Sequence, residues 1–320
     1  MQFTEQSPIE TGFAEIFARE IAPRLDELEA QRQALSRKGW LWFAVVVAVF
    51  VGIAAVAWPA LGGFGAVFFL IFGAIAGLIA RGLQGNKWTG AVAETVMPHV
   101  CAFLGETRYD RSAATRFPLD RVESIGLIGS HDSARLEDQV VGRWQGVDYT
   151  LVEARLTRSS NSKDKKTSDT VFSGLLFRIG LPHPAPTRIV ILRNYGRTLN
   201  AVAGFLSRGK GRGLPRVDTG HAGFEKDFEL HAADPDAALD YLPAAFLDNL
   251  VAIGETESDK GTKGMRAAFD GEDFWLALDR TKPFMEMASL GKPVSNITED
   301  LHRVFDDMAL IRRIIEWLRA

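Results

Sequence analysis

Two long uncharged runs near the N-terminus dominate the hydrophobic pattern of the chain. Residues 40–58 read WLWFAVVVAVFVGIAAVAW, and residues 64–80 read FGAVFFLIFGAIAGLIA, with the turn-forming segment 59–63 between them. At 1.5 Å per residue, each run makes a helix of about 28–30 Å when the second is counted from Leu61, which matches the hydrocarbon core of a bilayer. The pattern predicts a transmembrane helical hairpin over residues 40–81 rather than a hairpin buried in a soluble core.

The second run contains two glycines one helical turn apart, Gly73 and Gly77. Small residues at this spacing let a neighbouring helix approach closely. The spacing predicts helix packing at these glycines and leaves two partners open. One is the first span of the same hairpin, which we favour, and the other is a second chain.

Residues 1–39 alternate between apolar and charged positions at close to helical spacing, and we predict an amphipathic juxtamembrane helix there. Ser7, Pro8 and Glu10 form a typical helix start, and Pro23 predicts a kink or a restart. Three placements stay open for this helix: packing on the rest of the protein, which we favour, a coiled coil, or the membrane surface.

In residues 88–320, short stretches with the helical period of 3.6 residues alternate with stretches that have the strand period of 2. We predict one soluble domain there. Strand patterns joined by turn residues predict hairpins around Gln145-Gly146 and around residues 270–273. The predicted fold is α+β: an N-terminal transmembrane helical hairpin, then a mainly antiparallel sheet with flanking helices. A pleckstrin-homology-like barrel is the structural analogy for the sheet. The predicted strands cover 136–144, 147–157, 170–180, 187–193, 224–231, 265–269 and 274–278, and the helices 88–106, 198–207, 235–250 and 298–318.

The order and spacing of several motifs after the hairpin resemble those of a known family. The motifs are EDQVVG at 137–142, YTLVE at 149–153, FSGL at 172–175, FEL at 228–230, and Asp234, Ala237, Ala238 and Phe246. With the hairpin before them, they resemble the bacterial family known as domain of unknown function 3137, over most of the chain. The resemblance implies a bacterial membrane protein. It supplies no activity and no catalytic residue.

The distribution of positive charge predicts the orientation of the hairpin. The turn between the runs has no lysine or arginine, and the positive residues lie on the other sides of the two runs: Arg24, Arg32, Arg37, Lys38, Arg81 and Lys87. The positive-inside rule then places both termini in the cytoplasm, which for a bacterial protein predicts a multi-pass protein of the inner (cytoplasmic) membrane. Because the runs carry no ionisable group, they predict an anchor rather than a conduction path.

Composition and motifs give little support to catalysis. The net charge of −3 does not indicate nucleic-acid binding, and the one cysteine, Cys101, cannot form an internal disulfide. The six histidines show no metal-ligand spacing, and there is no GxSxG elbow or P-loop, so we predict no cofactor and no metal site. Glu137, Asp138 and Glu153 are the best acid candidates, since pairing of the first two strands would bring carboxylates together. The alternative is that they are exposed strand carboxylates, and we assign no catalytic residue.

Two polar segments interrupt the soluble domain. Residues 158–169 read RSSNSKDKKTSD and predict a mobile loop. Residues 207–216 read SRGKGRGLPR, in which four cations alternate with glycines that permit close approach of a ligand: Arg208, Lys210, Arg212 and Arg216. We expect these cations either to contact anionic lipid headgroups or phosphate, or to lie in a solvated flexible loop.

These observations favour an uncharacterised, membrane-anchored cytoplasmic module that binds or scaffolds without being an enzyme. Its expected partners are the lipid bilayer, anionic lipid headgroups, and a protein partner or a second copy, but not nucleic acid. One alternative is an enzyme at the membrane surface that uses the acidic residues of the soluble domain. Another is an accessory subunit of a larger membrane complex, joined through the Gly73 and Gly77 face.

Overall fold

The computed structural model describes residues 1–113, 117–162, 165–193, 213–259, 262–280 and 287–319. The chain divides into two compact units. Unit 1 consists of Met1–Phe103 and Met285–Asp306, and unit 2 of Leu104–Phe284 and Asp307–Ala320. The predicted fold class is confirmed, since two long apolar helices precede an antiparallel sheet with flanking helices.

The two apolar helices are the arms of α2 (Leu25–Leu104), which reverses direction where Gly62 has φ 61° and ψ −164°. The first arm ends at Ala60, and the second is Gly62–Leu104. Both arms are long and apolar enough to cross a membrane, and a bent helix pair later in the chain would raise the number of such elements to three if it counted as one span. Their length and composition indicate membrane association.

The apolar side chains of the arms are turned outward. Phe64, next to the reversal, is 91% exposed, and Leu41 and Ile79 are also largely exposed. Soluble proteins rarely expose such a continuous apolar surface, and one of this extent marks contact with another apolar phase. The exposure therefore agrees with the membrane hairpin expected from the pattern.

The N-terminal segment folds as short helical turns instead of the single amphipathic helix that we expected. A 3₁₀ turn (Pro8–Glu10) is followed by Gly12, at φ 92°, and then by α1 (Phe13–Ile16). A π-helical turn (Phe17–Ile21) and a 3₁₀ turn (Ala22–Arg24) lead into α2. The left-handed glycine ends the first turn, which accounts for the break.

This segment packs on the rest of unit 1, which was the favoured alternative. Phe13 and Phe17 are fully buried, and the Phe13 ring lies 4.8 Å from that of Phe305 in an edge-on contact. Glu10, 1% exposed, accepts at 2.8 Å from Nδ1 of His302. Two ends of the chain therefore share one hydrophobic core.

The described strands of unit 2 form one nine-stranded antiparallel sheet in the order β1-β2-β3-β4-β9-β8-β5-β7-β6. The strands at the two edges, β1 and β6, are not neighbours, so the sheet is open and the barrel analogy is wrong. The strands are β1 (Thr107–Asp110), β2 (Ser133–Trp144), β3 (Val147–Ser162), β4 (Lys165–Gly180), β5 (Ile189–Arg193), β6 (Arg216–Val217), β7 (Phe228–Ala232), β8 (Thr262–Asp270) and β9 (Asp273–Arg280).

Apolar residues at period 2 bury both faces of the sheet. On one face, side chains such as Val152, Leu176 and Trp275 form a core with the segment that contains α3 (Leu119–Ile125). On the other face, Phe246 lies 5.3 Å from Phe269 in an edge-on ring contact. The helices of unit 2 and its boundary are α3, α4 (Ala222–Asp227), α5 (Pro235–Tyr241), α6 (Ala244–Asp259) and α7 (Ile297–Arg319).

Several expected elements differ in the structure. The strand expected over 224–231 begins only at Phe228, because Phe224 N–H donates to the side chain of His221 at 3.1 Å and starts α4. The helix expected over 235–250 breaks before Pro243 into α5 and α6, which are bent by 83°. The loop expected over 158–169 continues β3 and β4, which stay paired to Ser162 and Lys165. The helix expected over 198–207 lies outside the described residues.

A buried ion cluster joins β9, α6 and α7 within unit 2. Arg280 donates from Nε to Glu257 Oε2 at 3.0 Å and from a terminal nitrogen to Asp307 Oδ1 at 2.9 Å. The side chains of Arg280 and Glu257 are 8% and 1% exposed. Removing one partner of such a pair leaves an uncompensated charge in a dry site.

One glycine in the centre of the sheet has no room for a side chain. Gly174 of β4 lies opposite Asp279 of β9 and has φ 153°. A Cβ at this position would lie 2.7 Å from the backbone nitrogen of Arg280 and closer still to the carbonyl oxygen of Leu278. The two strands therefore pair closely here only because residue 174 is glycine.

Candidate functional site

An open groove of about 610 Å³, which we call the sheet groove, lies at one end of the sheet of unit 2. Two hairpin turns and a proline-containing loop surround it. Its lining comprises Val141, Gly142, Gly146, Val147, Asp148, Tyr149, Thr150, Arg178, Gly180, Leu181, Pro182, Pro184, Glu272 and Asp273.

The groove forms where one face of the sheet changes from apolar to polar. Side chains two residues apart on a strand lie on the same face. Thr150 therefore lies on the face of buried Val152, and Asp273 lies on the face of Trp275. The core formed with α3 covers the apolar half, and the polar half is left open.

Its walls are held by backbone hydrogen bonds. The turn between β2 and β3 has Gln145 at φ 49° and Gly146 at φ 82°, the left-handed pair that a tight two-residue hairpin requires. On the other side, Leu181 N–H donates to the carbonyl of Glu272, and Ala185 N–H donates to that of Gly271, both at 2.8 Å. These bonds fix the proline loop on the β8–β9 turn, so the groove is preformed.

Ion pairs set the charge of the groove. Arg143 donates to both carboxylate oxygens of Asp148, at 2.6 and 3.0 Å, and this hydrogen bonding holds the pKa of Asp148 below its usual value. Arg178 donates to Asp273 at 2.9 Å. Among the residues that the structure describes, Glu272 has no cationic partner, so the rim has a slight excess of negative charge.

The side chains of the described lining are mostly hydrogen-bonding groups. Among the residues that the structure describes, the lining includes no histidine, cysteine or serine, and arginines hold Asp148 and Asp273. General acid–base or nucleophilic catalysis needs a group whose pKa and geometry are tuned for proton transfer or attack. Backbone groups, Thr150 and the paired charges can instead hydrogen-bond a polar partner.

The predicted acid candidates lie elsewhere on the sheet. Glu137 and Glu153 are direct cross-strand partners, and Arg135 pairs with Glu137 at 2.7 Å. Asp138 lies in a bulge at φ 52° and accepts a hydrogen bond from the Tyr109 hydroxyl. Burial raises the pKa of Asp138 to about 6. The carboxylates are neighbours as expected, but none lines the sheet groove.

Most of the predicted basic site lies outside the described residues, which exclude Arg208, Lys210 and Arg212. Arg216 begins β6, with its side chain 56% exposed and one terminal nitrogen 3.9 Å from Glu229 Oε1. Lipid or phosphate contact by these four residues stays a prediction.

The two packing glycines contact aromatic residues of the first arm within unit 1. A Cβ at Gly73 would lie 2.6 Å from Cβ of Phe50, and a Cβ at Gly77 would lie 2.7 Å from Cδ2 of Phe43. The arms approach closely at both glycines. Whether this face also serves a second chain stays open.

The histidines of the described residues are mostly engaged in single pairs. His221 Nε2 lies 3.0 Å from Asp248, and His131 Nδ1 lies 3.3 Å from Glu123. Over the ranges that the structure describes, no three or more histidine, cysteine, aspartate or glutamate side chains are grouped so as to hold a metal ion.

The sequence did not predict the sheet groove. The turn residues Gln145-Gly146 and 270–273 predict hairpins, but a hairpin prediction does not indicate a groove. Three separated segments come together because β3, β4 and β9 are neighbours in the sheet. Local patterns carry no information about that convergence.

Comparison with protein families finds a similarity in the C-terminal part of the chain. Residues 170–320 match the family described as "Protein of unknown function (DUF3137)", which confirms the resemblance over that range. The motifs at 137–142 and 149–153 precede the match. The comparison with curated proteins gives no match.

One solved structure is similar to this chain. It is described as the crystal structure of the mycobacterial trehalose monomycolate transport factor A, TtfA. The sequences are 13% identical and the TM-score is 0.30, with 67% of this chain and 87% of that chain covered.

Proposed function

We propose that this protein is a membrane-anchored binding module that has no enzymatic activity of its own. The observation that carries the proposal is the pairing of two features. The outward-facing, uncharged hairpin of unit 1 suits an anchor, and the sheet groove of unit 2 suits binding without catalysis.

The hairpin supports anchoring rather than transport. No charged residue occurs between Lys38 and Arg81, and proteins that move ions or protons place ionisable groups within their spans. With the positive residues on one side, both termini lie in the cytoplasm, and for a bacterial protein the membrane is the inner one. Fusion of a cytoplasmically active reporter to either terminus should give signal, whereas a reporter active only outside should give signal in the 59–63 turn. The opposite result would refute this topology.

The groove supports binding of a protein or a polar ligand. A photo-crosslinking residue at Val147, in the lining, should give a discrete adduct in native membranes. The matched control is the same residue at Ser133, an exposed position at the other end of β2. Equal adducts at both positions, or no adduct at Val147, would count against the groove as a binding site.

The basic glycine-rich segment 207–216 supports contact with anionic lipid as a second element of binding. Each cation near an acidic leaflet contributes about 1 kcal/mol. Hydrogen exchange of this segment in the full-length protein should be slower in nanodiscs of acidic lipid than in zwitterionic ones. Replacing Arg208, Lys210, Arg212 and Arg216 with Gln should abolish the difference. Equal exchange rates of the wild-type segment in acidic and zwitterionic nanodiscs would refute this part of the proposal.

A further inference from the structure

Four cations form a basic collar where the apolar runs of the hairpin end: Arg37, Lys38, Arg81 and Lys87. Gly39 of the first arm lies against Arg81 and Gln84 of the second, so the two pairs of cations lie at similar levels. Arg81 and Lys87 are six positions apart on the helix, a rise of about 9 Å. The headgroup region on one side of a bilayer is about 5–8 Å thick, so cations at both ends of this rise can reach it.

No acidic side chain of the described residues pairs with the collar. The chain has no acidic residue between Arg32 and Glu94. Among the residues that the structure describes, none of the four collar cations forms an ion pair. Arg32, farther from the apolar run, differs because it pairs with Glu29 at 2.6 Å and donates to the carbonyl of Leu290 at 2.9 Å. The positive charge at the collar is therefore available to a ligand.

The geometry of Arg81 prepares it for an oxyanion. A Cβ at position 39 would lie 3.3 Å from Arg81 Cγ, so glycine there leaves room for the arginine to cross the first arm. Its guanidinium carbon lies 4.2 Å from the ring centroid of Trp40. Stacking on the ring occupies the face of the guanidinium and leaves its N–H donors free in the plane, where they can bind two phosphate oxygens.

We propose that the basic collar binds the phosphate of an anionic phospholipid headgroup, with Arg81 as the oriented donor and Trp40 as its support. The inference rests on the proposed membrane anchoring and assigns a lipid site to the anchor itself. An anionic lipid is favoured over a zwitterionic one because four uncompensated positive charges repel a headgroup ammonium. Trp40 belongs at the same depth, since tryptophan side chains accumulate at the membrane interface.

The test uses full-length protein released from nanodiscs that contain equal amounts of phosphatidylglycerol and phosphatidylcholine. Native mass spectrometry then measures which lipid is retained. Wild type should retain phosphatidylglycerol preferentially. Arg81→Gln should weaken that preference about fivefold, the ratio that corresponds to about 1 kcal/mol per cation. Arg19→Gln is the matched control, because Arg19 lies in the same unit, exposed and paired with Glu20.

Gly39→Leu keeps every charge but displaces Arg81, and it should also reduce the preference. Equal retention of the two lipids by wild type, or equal losses in Arg81→Gln and Arg19→Gln, would overturn the proposal. Release of phosphatidylglycerol by millimolar inorganic phosphate would show a free-phosphate site instead and would also overturn it. Membrane fractionation of the same variants separates the two proposals. Protein found in the membrane without a lipid preference refutes the collar alone, and protein absent from the membrane refutes the anchor.

Discussion

Replacing Gly174 with Ala tests whether close pairing of β4 and β9 holds the sheet together. The new Cβ would meet the backbone of the neighbouring strand, which cannot move aside as a flexible side chain would. Either β4 shifts away from β9, or residue 174 leaves its φ of 153°. Both responses break hydrogen bonds in the middle of the ladder, between strands that also carry the walls of the sheet groove.

The expected cost follows from two contributions. A residue other than glycine in such a backbone conformation costs about 1–3 kcal/mol. The two adjacent ladder bonds, if lost, cost about 1 kcal/mol each. We therefore expect Gly174→Ala to lower the free energy of unfolding of unit 2 by about 4 kcal/mol. Such a decrease makes exchange through unfolding about a thousandfold faster.

Hydrogen exchange of β4 and β9 peptides in the full-length protein measures this change directly. Gly146→Ala is the control, because Gly146 also has a positive φ, of 82°, but a Cβ there meets nothing within 4 Å. Its cost should be only about 1–2 kcal/mol, which is the left-handed backbone alone. If both variants accelerated exchange equally, the close approach of the strands would not be what requires glycine at position 174.

Three further results are expected. In wild type, the free energy of unfolding should fall as pH rises from about 4 to 6. In this range the Asp138 carboxyl of the unfolded chain, with a pKa near 3.8, is ionised, while that of the folded chain, with a pKa of about 6, keeps its proton. Asp138→Asn should remove this decrease in stability, which amounts to about 3 kcal/mol above pH 6. Urea unfolding at several pH values measures it. A stability difference between variant and wild type that does not change with pH would contradict the raised pKa of Asp138. Arg280→Met should destabilise unit 2 by about 3–5 kcal/mol in the same assay, because it removes the cation that neutralises both Glu257 and Asp307. Adding Glu257→Met and Asp307→Asn together should recover most of this loss, and failure of these two changes to help would exclude the buried charges as its cause. Gly73→Ile should separate the arms at Phe50 and lower the melting temperature in detergent. The oligomeric state measured by light scattering should not change. Loss of a dimer would instead assign the Gly73 and Gly77 face to contacts between chains.

Elements with a strong local period were predictable from the sequence. The apolar runs, the hairpin at Gln145-Gly146 and the last helix are all present in the structure. Elements whose secondary structure depends on a single side-chain contact were not predictable from the sequence. The side chain of His221 caps α4 and turns an expected strand into helix, and the two-residue strand β6 is too short to have a period.

The candidate sites show the same division. Pairing of the first two strands predicts that some of the carboxylates Glu137, Asp138 and Glu153 come near each other, and Glu137 and Glu153 are direct cross-strand partners. Burial raises the pKa of Asp138, and the hydrogen bond from Tyr109 opposes that shift. Tyr109 belongs to β1, a strand that the pattern did not indicate. The sheet groove and the collar require distances between residues far apart in sequence, which no local pattern supplies.

The contact between Glu10 and His302 joins residues 292 positions apart and has a consequence for biosynthesis. At about 5–20 residues per second, a ribosome needs on the order of 15–60 seconds to add the residues between them. During that interval the Phe13 side chain lacks its contact with Phe305 of the last helix, although both apolar arms have already been synthesised. Chaperones that hold nascent chains would therefore be expected to protect the amino-terminal segment, and truncations that remove the last helix should leave it open to proteolysis.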